Sequence, residues 1–360
     1  GNIGPIKFSS YQRVSGNADM IQEVLLARRM PPWHADRHYG AFVNDNSLTL
    51  EEGRMLLRWI EQGAPRGEGP DPLASATPPA ETWALGEPDA ILQIPEPQRI
   101  PANGILPYRH VKVPVPFESD AWVKSVVVKP DNRRVVHHII VRVQEPGQGR
   151  PDAGNEDDAF LIGWAPGAPE IFFPENTGKL IKKGSSLDFE IHYTTSGREE
   201  TDQSRIGIYL HSEPPPLTLK TRAAYNLEFE VQRGEKENVS ATYAVRKDTM
   251  LYDLSPHMHM RGQWFKFEAL FPDGRKEMLL SVPDYDFAWQ HTYRLKTPRR
   301  LPAGTWILCT GGFDNTNLKP GNPNPRVPLR FGEQSFDEMF IGFMGMAELP
   351  ANPSQPLARN

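Results

Sequence analysis

The stretch Trp264-Phe265-Lys266-Phe267-Glu268-Ala269-Leu270-Phe271-Pro272-Asp273-Gly274-Arg275-Lys276-Glu277-Met278-Leu279-Leu280-Ser281-Val282 reads as a β-hairpin. Trp264 to Leu270 and Glu277 to Val282 are strand candidates, and Pro272-Asp273-Gly274 between them has turn chemistry. The same pattern repeats outward in both directions. Downstream lie His291 to Leu295, Thr305 to Thr310 and Phe340 to Met346; upstream lie Met250 to Leu254, Ala241 to Val245 and Leu227 to Val231. Beyond the proline run Glu213-Pro214-Pro215-Pro216 comes an earlier series: Ala90 to Ile94, Arg109 to Val115, Trp122 to Val128, Val135 to Val143, Leu187 to Tyr193 and Arg205 to Leu210. Turn signals such as Lys129-Pro130-Asp131-Asn132 and Lys183-Gly184-Ser185 separate its members. Proline is 36 of 360 residues, about twice the usual ~5%, which disfavours long helices. The expected fold is mainly β: two antiparallel β-sandwich domains, over 84–218 and 219–350, joined near the triproline.

Residues 1–68 differ. Ala18 to Arg29 places Met20, Ile21, Val24 and Leu25 at helical spacing. Thr49 can cap a second helix with Glu52 at the capping-box position, Met55, Leu56, Trp59 and Ile60 form its apolar face, and Gly63 is a stop. Two short helices make a thin core. Residues 69–83, in the Pro/Gly-rich run that begins Gly67-Glu68-Gly69-Pro70, read as a linker, and 351–360 as a tail.

Formal net charge is −5 with the two signs mixed, so no basic block points to nucleic acid. The apolar runs are far shorter than the ~18 residues a membrane span needs. One cysteine, Cys309, excludes an internal disulfide and any Cys-rich zinc or iron–sulfur site. No signal peptide is visible.

Histidine placement carries the chemistry. His257 and His259, in Ser255-Pro256-His257-Met258-His259-Met260-Arg261-Gly262, are two apart, and on a strand they share one face. Two imidazoles suit copper, zinc, iron or nickel. His137-His138 lie inside an apolar run, where neighbours face opposite sides unless the strand twists or ends. His192 ends the alternating run Leu187 to Ile191 and would complete a three-histidine site with them. Met339, in Phe336-Asp337-Glu338-Met339-Phe340, is a candidate third ligand for the second pair; a thioether favours Cu(I) and is poor for zinc. Asp286, Trp289, Gln290, His291, Asp314, Asn315 and Gln334 are further polar or aromatic candidates for a site, each with loop structure as its alternative role.

From about residue 84 to 350 the chain resembles the copper type II, ascorbate-dependent monooxygenase family, which includes peptidylglycine and dopamine β-monooxygenases. The matching pieces are His137-His138, Phe172-Phe173-Pro174-Glu175, Glu190-Ile191-His192-Tyr193, His257-Met258-His259 and Asp337-Glu338-Met339, in that order. The resemblance implies two jelly-roll-like sandwiches with two copper ions facing each other across an open cleft. It implies that His137, His138 and His192 hold an electron-transfer copper, and that His257, His259 and Met339 hold the copper at which oxygen binds. It further implies O2, ascorbate or another electron donor, and a small organic substrate hydroxylated at a C–H bond, in the periplasm or outside the cell. The chain departs from the peptidylglycine pattern where a carboxylate clamp would stand: the positions are Ser255, Ile341 and Phe343. Residues 1–68 resemble the C-terminal part of a small c-type cytochrome domain, through Gly4-Pro5, Arg29-Met30-Pro31-Pro32-Trp33 and Trp59-Ile60-Glu61-Gln62-Gly63-Ala64-Pro65. Met30 would be its distal haem ligand, but no Cys-x-x-Cys-His motif is present, so haem is expected only in a longer form that carries one. A non-catalytic copper-binding or copper-trafficking protein and a His-rich zinc hydrolase are the alternative readings.

Overall fold

A computed structural model describes residues 6, 8–71, 83–149, 159–166, 168, 170 and 172–350. Gly4-Pro5, most of the expected linker and the expected tail lie outside the described residues. The chain forms two compact units: Gly1–His34 with Asn44–Thr82, and Ala35–Val43 with Trp83–Asn360.

The smaller unit carries helices Tyr11–Ser15, Ala18–Leu26 and Leu50–Glu61. The expected capping box is present. Glu52 N donates to Thr49 Oγ1 at 3.1 Å, and Thr49 N donates to the Glu52 carboxylate at 2.8 Å. Gly63 follows the C-cap at φ 82°, a left-handed conformation that glycine adopts without strain. The helix expected to reach Arg29 ends at Leu26, and Arg28 turns left-handed at φ 55°. Met30 and Trp33 are half-buried.

The larger unit is mainly β and almost entirely antiparallel. A five-stranded sheet runs in the order Ala90–Gln93, Arg205–Leu210, Ala121–Lys129, Thr177–Ile181, Leu217–Thr218. A four-stranded sheet runs Arg109–Pro114, Ser186–Tyr193, Val136–Gln144, Phe160–Trp164. One hydrophobic core joins the two, with Val123, Val126, Val128, Ile206 and Ile208 from the first meeting Ile139, Val141, Leu187, Phe189 and Ile191 from the second. Burying these branched side chains contributes roughly 1.5–3 kcal/mol each.

After the triproline a second pair of four-stranded sheets follows: Lys220–Tyr225, Ile341–Glu348, Thr249–His257, Tyr293–Leu301, and Lys236–Ala244, Trp306–Asp314, Gly262–Leu270, Lys276–Val282. Phe265 stacks on Phe340 at 4.8 Å, and Phe340 meets Phe313 edge-on at 6.3 Å. The hairpin read first in the sequence is there. Gly262–Leu270 pairs with Lys276–Val282, Gly274 takes φ 83°, and Phe271 N bonds Arg275 O at 2.8 Å. Phe160–Trp164, Thr177–Ile181 and Lys220–Tyr225 are strands beyond those expected from the sequence, and in the stretch Leu227 to Val231 only Glu230–Val231 is strand.

The two sheet pairs meet on a mixed surface. Lys179 is buried, and its ammonium donates to Phe160 O at 2.8 Å, Leu161 O at 3.0 Å and, across the boundary, Thr221 Oγ1 at 3.1 Å. Burial lowers its pKa to about 8, with the Asp253 carboxylate pushing back upward and Arg294 downward. Beside it Leu219, Tyr252 and Ala347 pack with Phe173, Leu217 and Met250.

Candidate metal centre

His138 and His192 are cross-strand partners in the pair Val136–Gln144 and Ser186–Tyr193. Direct partners share a face. His137 would point away in a regular strand, but the register shifts between Val136 and His138. That extra residue is a bulge, which locally bends the strand and re-aims a side chain. The opposed-faces difficulty raised by two adjacent histidines is resolved in this way. Ring centroids lie 5.3 Å apart for His137 and His138, 5.1 Å for His137 and His192, and 5.0 Å for His138 and His192. One nitrogen of each lies within 4.8 Å of the others, and among the described residues no other three His, Cys, Asp or Glu side chains converge so.

The electrostatics suit a cation. Burial lowers the pKa of His137, holds His138 well below its ordinary value with the neighbouring imidazoles adding to the effect, and brings His192 down to about 4. All three are neutral at pH 7, the form that ligates metals. His192 Nδ1 is buried without a hydrogen-bond partner, an arrangement costing about 1–3 kcal/mol that a bound ion would relieve. Tyr108 closes the set from one side, edge-on to His192 at 4.7 Å and to His138 at 5.5 Å.

His257 ends the strand Thr249–His257, so His259 lies just beyond it rather than on it. The two rings still converge, 5.2 Å apart and nearly perpendicular. Met258 between them is buried, and the backbone is held tight: Tyr285 Oη accepts from Met258 N at 3.1 Å and donates to Met258 O at 2.7 Å. Gly262 completes the turn, where a Cβ would meet the Met258 side chain at 2.9 Å and the Tyr285 ring at 3.0 Å. Glu338 is fully buried and accepts from His259 N at 2.8 Å and Arg261 N at 2.7 Å. Burial still pushes its pKa up to about 8. Met339 follows it in the chain and is half-buried.

His257 Nδ1 bonds Gln290 Oε1 at 2.6 Å, and His259 Nδ1 bonds Asp337 O at 3.3 Å. Both acceptors fix the Nδ1–H tautomer and leave Nε2 as the ligand atom, the usual support of a metal-binding histidine. Burial lowers the pKa of His257 and takes that of His259 to about 3. The three-histidine set therefore fits a metal, and the second set brings two neutral imidazoles together as donors.

The two sets meet on one side chain. Phe287 stacks on His137 and stands edge-on to His259, each 5.6 Å from its ring centroid, so the two imidazoles are no further apart than twice that. Phe343 lies 6.1 Å from His257 and stacks on Phe160 at 6.0 Å. Ser255 is bonded to Thr292 through their hydroxyls at 2.8 Å.

Of the further candidates, Gln290 touches a histidine through its side chain, and Gln334 faces His259 through its backbone. Asp314 pairs with Lys236 at 2.9 Å, Asn315 ties Gln232 O and Val327 O, and Asp286 caps Ala288 N. Tyr108 and Phe287 carry no local signal in the sequence, because their contacts are long-range. Glu338 could have been suspected as a carboxylate beside Met339 and Phe340.

No family model matches the chain, and no curated protein matches it. Among solved structures, the major capsid protein P2 from Bacteriophage PM2 aligns at 10% identity and TM-score 0.29, covering 73% of this chain and 98% of its own. An allantoicase aligns at 12% identity and TM-score 0.20, covering 57% of this chain and 75% of its own. A Paenibacillus xanthan lyase aligns at 13% identity and TM-score 0.20, covering 78% of this chain and 27% of its own.

Proposed function

We propose that the chain is a copper-dependent monooxygenase that hydroxylates a C–H bond of a small organic substrate with O2 and an external reductant. The sheet pairs are read as its two jelly-roll-like sandwiches, and the compartment as periplasmic or extracellular. The observation that carries the reading is that two sets of neutral histidines, one on each sheet pair, converge on a single ring, Phe287. Copper at these sets would supply one-electron redox chemistry for reducing O2. His137, His138 and His192 are the candidate ligands of the electron-transfer ion. His257, His259 and Met339 are those of the second, with the Met339 thioether suited to Cu(I).

The protein's remaining work is orientation and exclusion. Gln290 and the Asp337 carbonyl hold two imidazoles in one tautomer, so the donor atoms need no reorganisation. Phe287, Phe343 and Phe160 give the site aromatic walls. Ser255 and Thr292 satisfy each other, and no cation stands where a carboxylate clamp would be. These surroundings favour a substrate without a carboxylate handle. The test combines metal analysis with ascorbate-driven oxygen consumption across a broad substrate panel. Copper with reductant-dependent turnover supports the reading; copper without turnover favours a carrier, and retained zinc favours a hydrolase.

A further inference from the structure

The loop from Tyr285 to Gln290 is built to hold one ring in place. At its start Tyr285 is buried and grips both backbone groups of Met258, the residue between the paired histidines. At its end Gln290 binds His257 Nδ1 through its oxygen, while its amide nitrogen donates to Phe287 O at 3.3 Å. Between these anchors Asp286 Oδ1 accepts from Ala288 N at 2.9 Å and Asp286 O from Trp289 N at 3.0 Å, which fixes a tight turn. Phe287 stands inside this turn, while Trp289 turns to stack on His291 at 6.3 Å. Phe287 is half-buried, with one face on His137 and an edge contact to His259.

Three sets of hydrogen bonds thus hold the backbone on both sides of a single half-buried phenylalanine. A ring between two polar imidazole clusters gains little from burial compared with a place in either hydrophobic core. Its placement does one thing well: it fills with carbon a space that water would otherwise enter. We propose that Phe287 is a positioning residue that seals the space between the two histidine sets from bulk water, with Tyr285 and Gln290 as its anchors. The inference rests on the two-metal reading above. A dry space matters to that chemistry because water competes for ligand positions and drains reduced oxygen as peroxide instead of product.

The test uses the full chain loaded with copper, as wild type, Phe287→Ala and Phe287→Leu. None of the changes replaces a ligand, and copper content, measured for each variant, should be equal. The readout is the relaxation rate of bulk water protons per bound Cu(II), which reports water reaching the ion. Phe287→Ala should raise it about twofold, as water fills the vacated volume. Phe287→Leu refills most of that volume and should stay near wild type. Peroxide released per O2 consumed under ascorbate should rise in the same order. In the metal-free protein, the imidazole C–H resonances of His137 and His259 should shift together in Phe287→Leu as the ring current is lost. Equal relaxation in wild type and Phe287→Ala, with copper retained, overturns the inference and leaves the two-metal reading standing. Wild-type protein that retains no copper overturns that reading and this inference with it. If Phe287→Ala does not fold, unmoved His137 and His259 resonances in Phe287→Leu overturn the placement on which the inference depends.

Discussion

His138 and His192 stand directly opposite each other across an antiparallel strand pair, ring centroids 5.0 Å apart. Their meeting is a property of the sheet register. A slip of one residue would send the two imidazoles to opposite faces, yet it would also turn one strand's core residues, Ile139 and Val141 or Phe189 and Ile191, away from the core. The core therefore protects the ligand pair.

The first prediction concerns stoichiometry. Reconstituted protein should bind about two coppers per chain, one for each histidine set. His192→Ala should reduce this to about one, read by elemental analysis after desalting. A wild type that saturates at one, with His192→Ala indistinguishable from it, would count decisively against two sites.

A second prediction separates the sets. In the reduced protein carbon monoxide should bind at the His257/His259/Met339 ion. Met339→Ile keeps bulk but removes the sulfur, so this signal should weaken or shift in the infrared, while His138→Ala should leave it in place. Both variants should lose hydroxylation, and their effects should be strongly non-additive, since the residues serve one reaction. The opposite pattern of carbon monoxide signals would assign oxygen to the other set.

Stability of the metal-free protein should depend on pH in a defined direction. Burial holds His192 at about 4 and His259 at about 3, and lowers His137, His138 and His257, against an ordinary value of 6.5. Below 6.5 the unfolded chain takes up protons that the folded chain refuses, so stability falls as pH falls. Glu338, raised from 4.5 to about 8 by burial, and Asp253, raised by burial, have the opposite sign. Five imidazoles outweigh two carboxyls. The melting temperature should rise between about pH 5 and 6.5 and stop rising above that. Differential scanning calorimetry checks it; a melting temperature that falls across this interval would refute the assignment of neutral, buried histidines.

Glycine-extended peptides should be poor substrates. Ile341 is buried, Phe343 is aromatic, and Ser255 spends its hydroxyl on Thr292. None offers the bidentate grip an arginine gives a carboxylate. Peptide amide formation with carboxylate-dependent affinity, measured by mass spectrometry and competition, would contradict this.

Much of this architecture was legible in the sequence. Thr49 and Glu52 announced their capping box, and Pro272-Asp273-Gly274 its hairpin, because both depend on residues close together in the chain. The strands with long apolar runs were legible too. Phe160–Trp164 was not: it is only five residues long and carries Gly163, which interrupts its alternation. The convergence of His137 with His138 depends on a bulge, and a bulge is a matter of pairing with a distant strand. Phe287 sits in a loop, and nothing local says that His137, 150 residues earlier, stacks on it.

The buried ammonium of Lys179 bears on how the chain is made. A nascent polypeptide that has emerged only as far as the triproline already holds every strand of the first sheet pair except Leu217–Thr218, and the lysine that pair buries. It does not yet hold Thr221, whose hydroxyl accepts a hydrogen bond from that lysine, or Asp253, the anion that steadies its charge. Phe173 likewise waits for Leu219, Tyr252 and Ala347. A buried cation lacking its partners is costly, on the order of 3–5 kcal/mol. The buried-lysine arrangement of the first sheet pair is thus complete only once residues of the second have been made and packed against it.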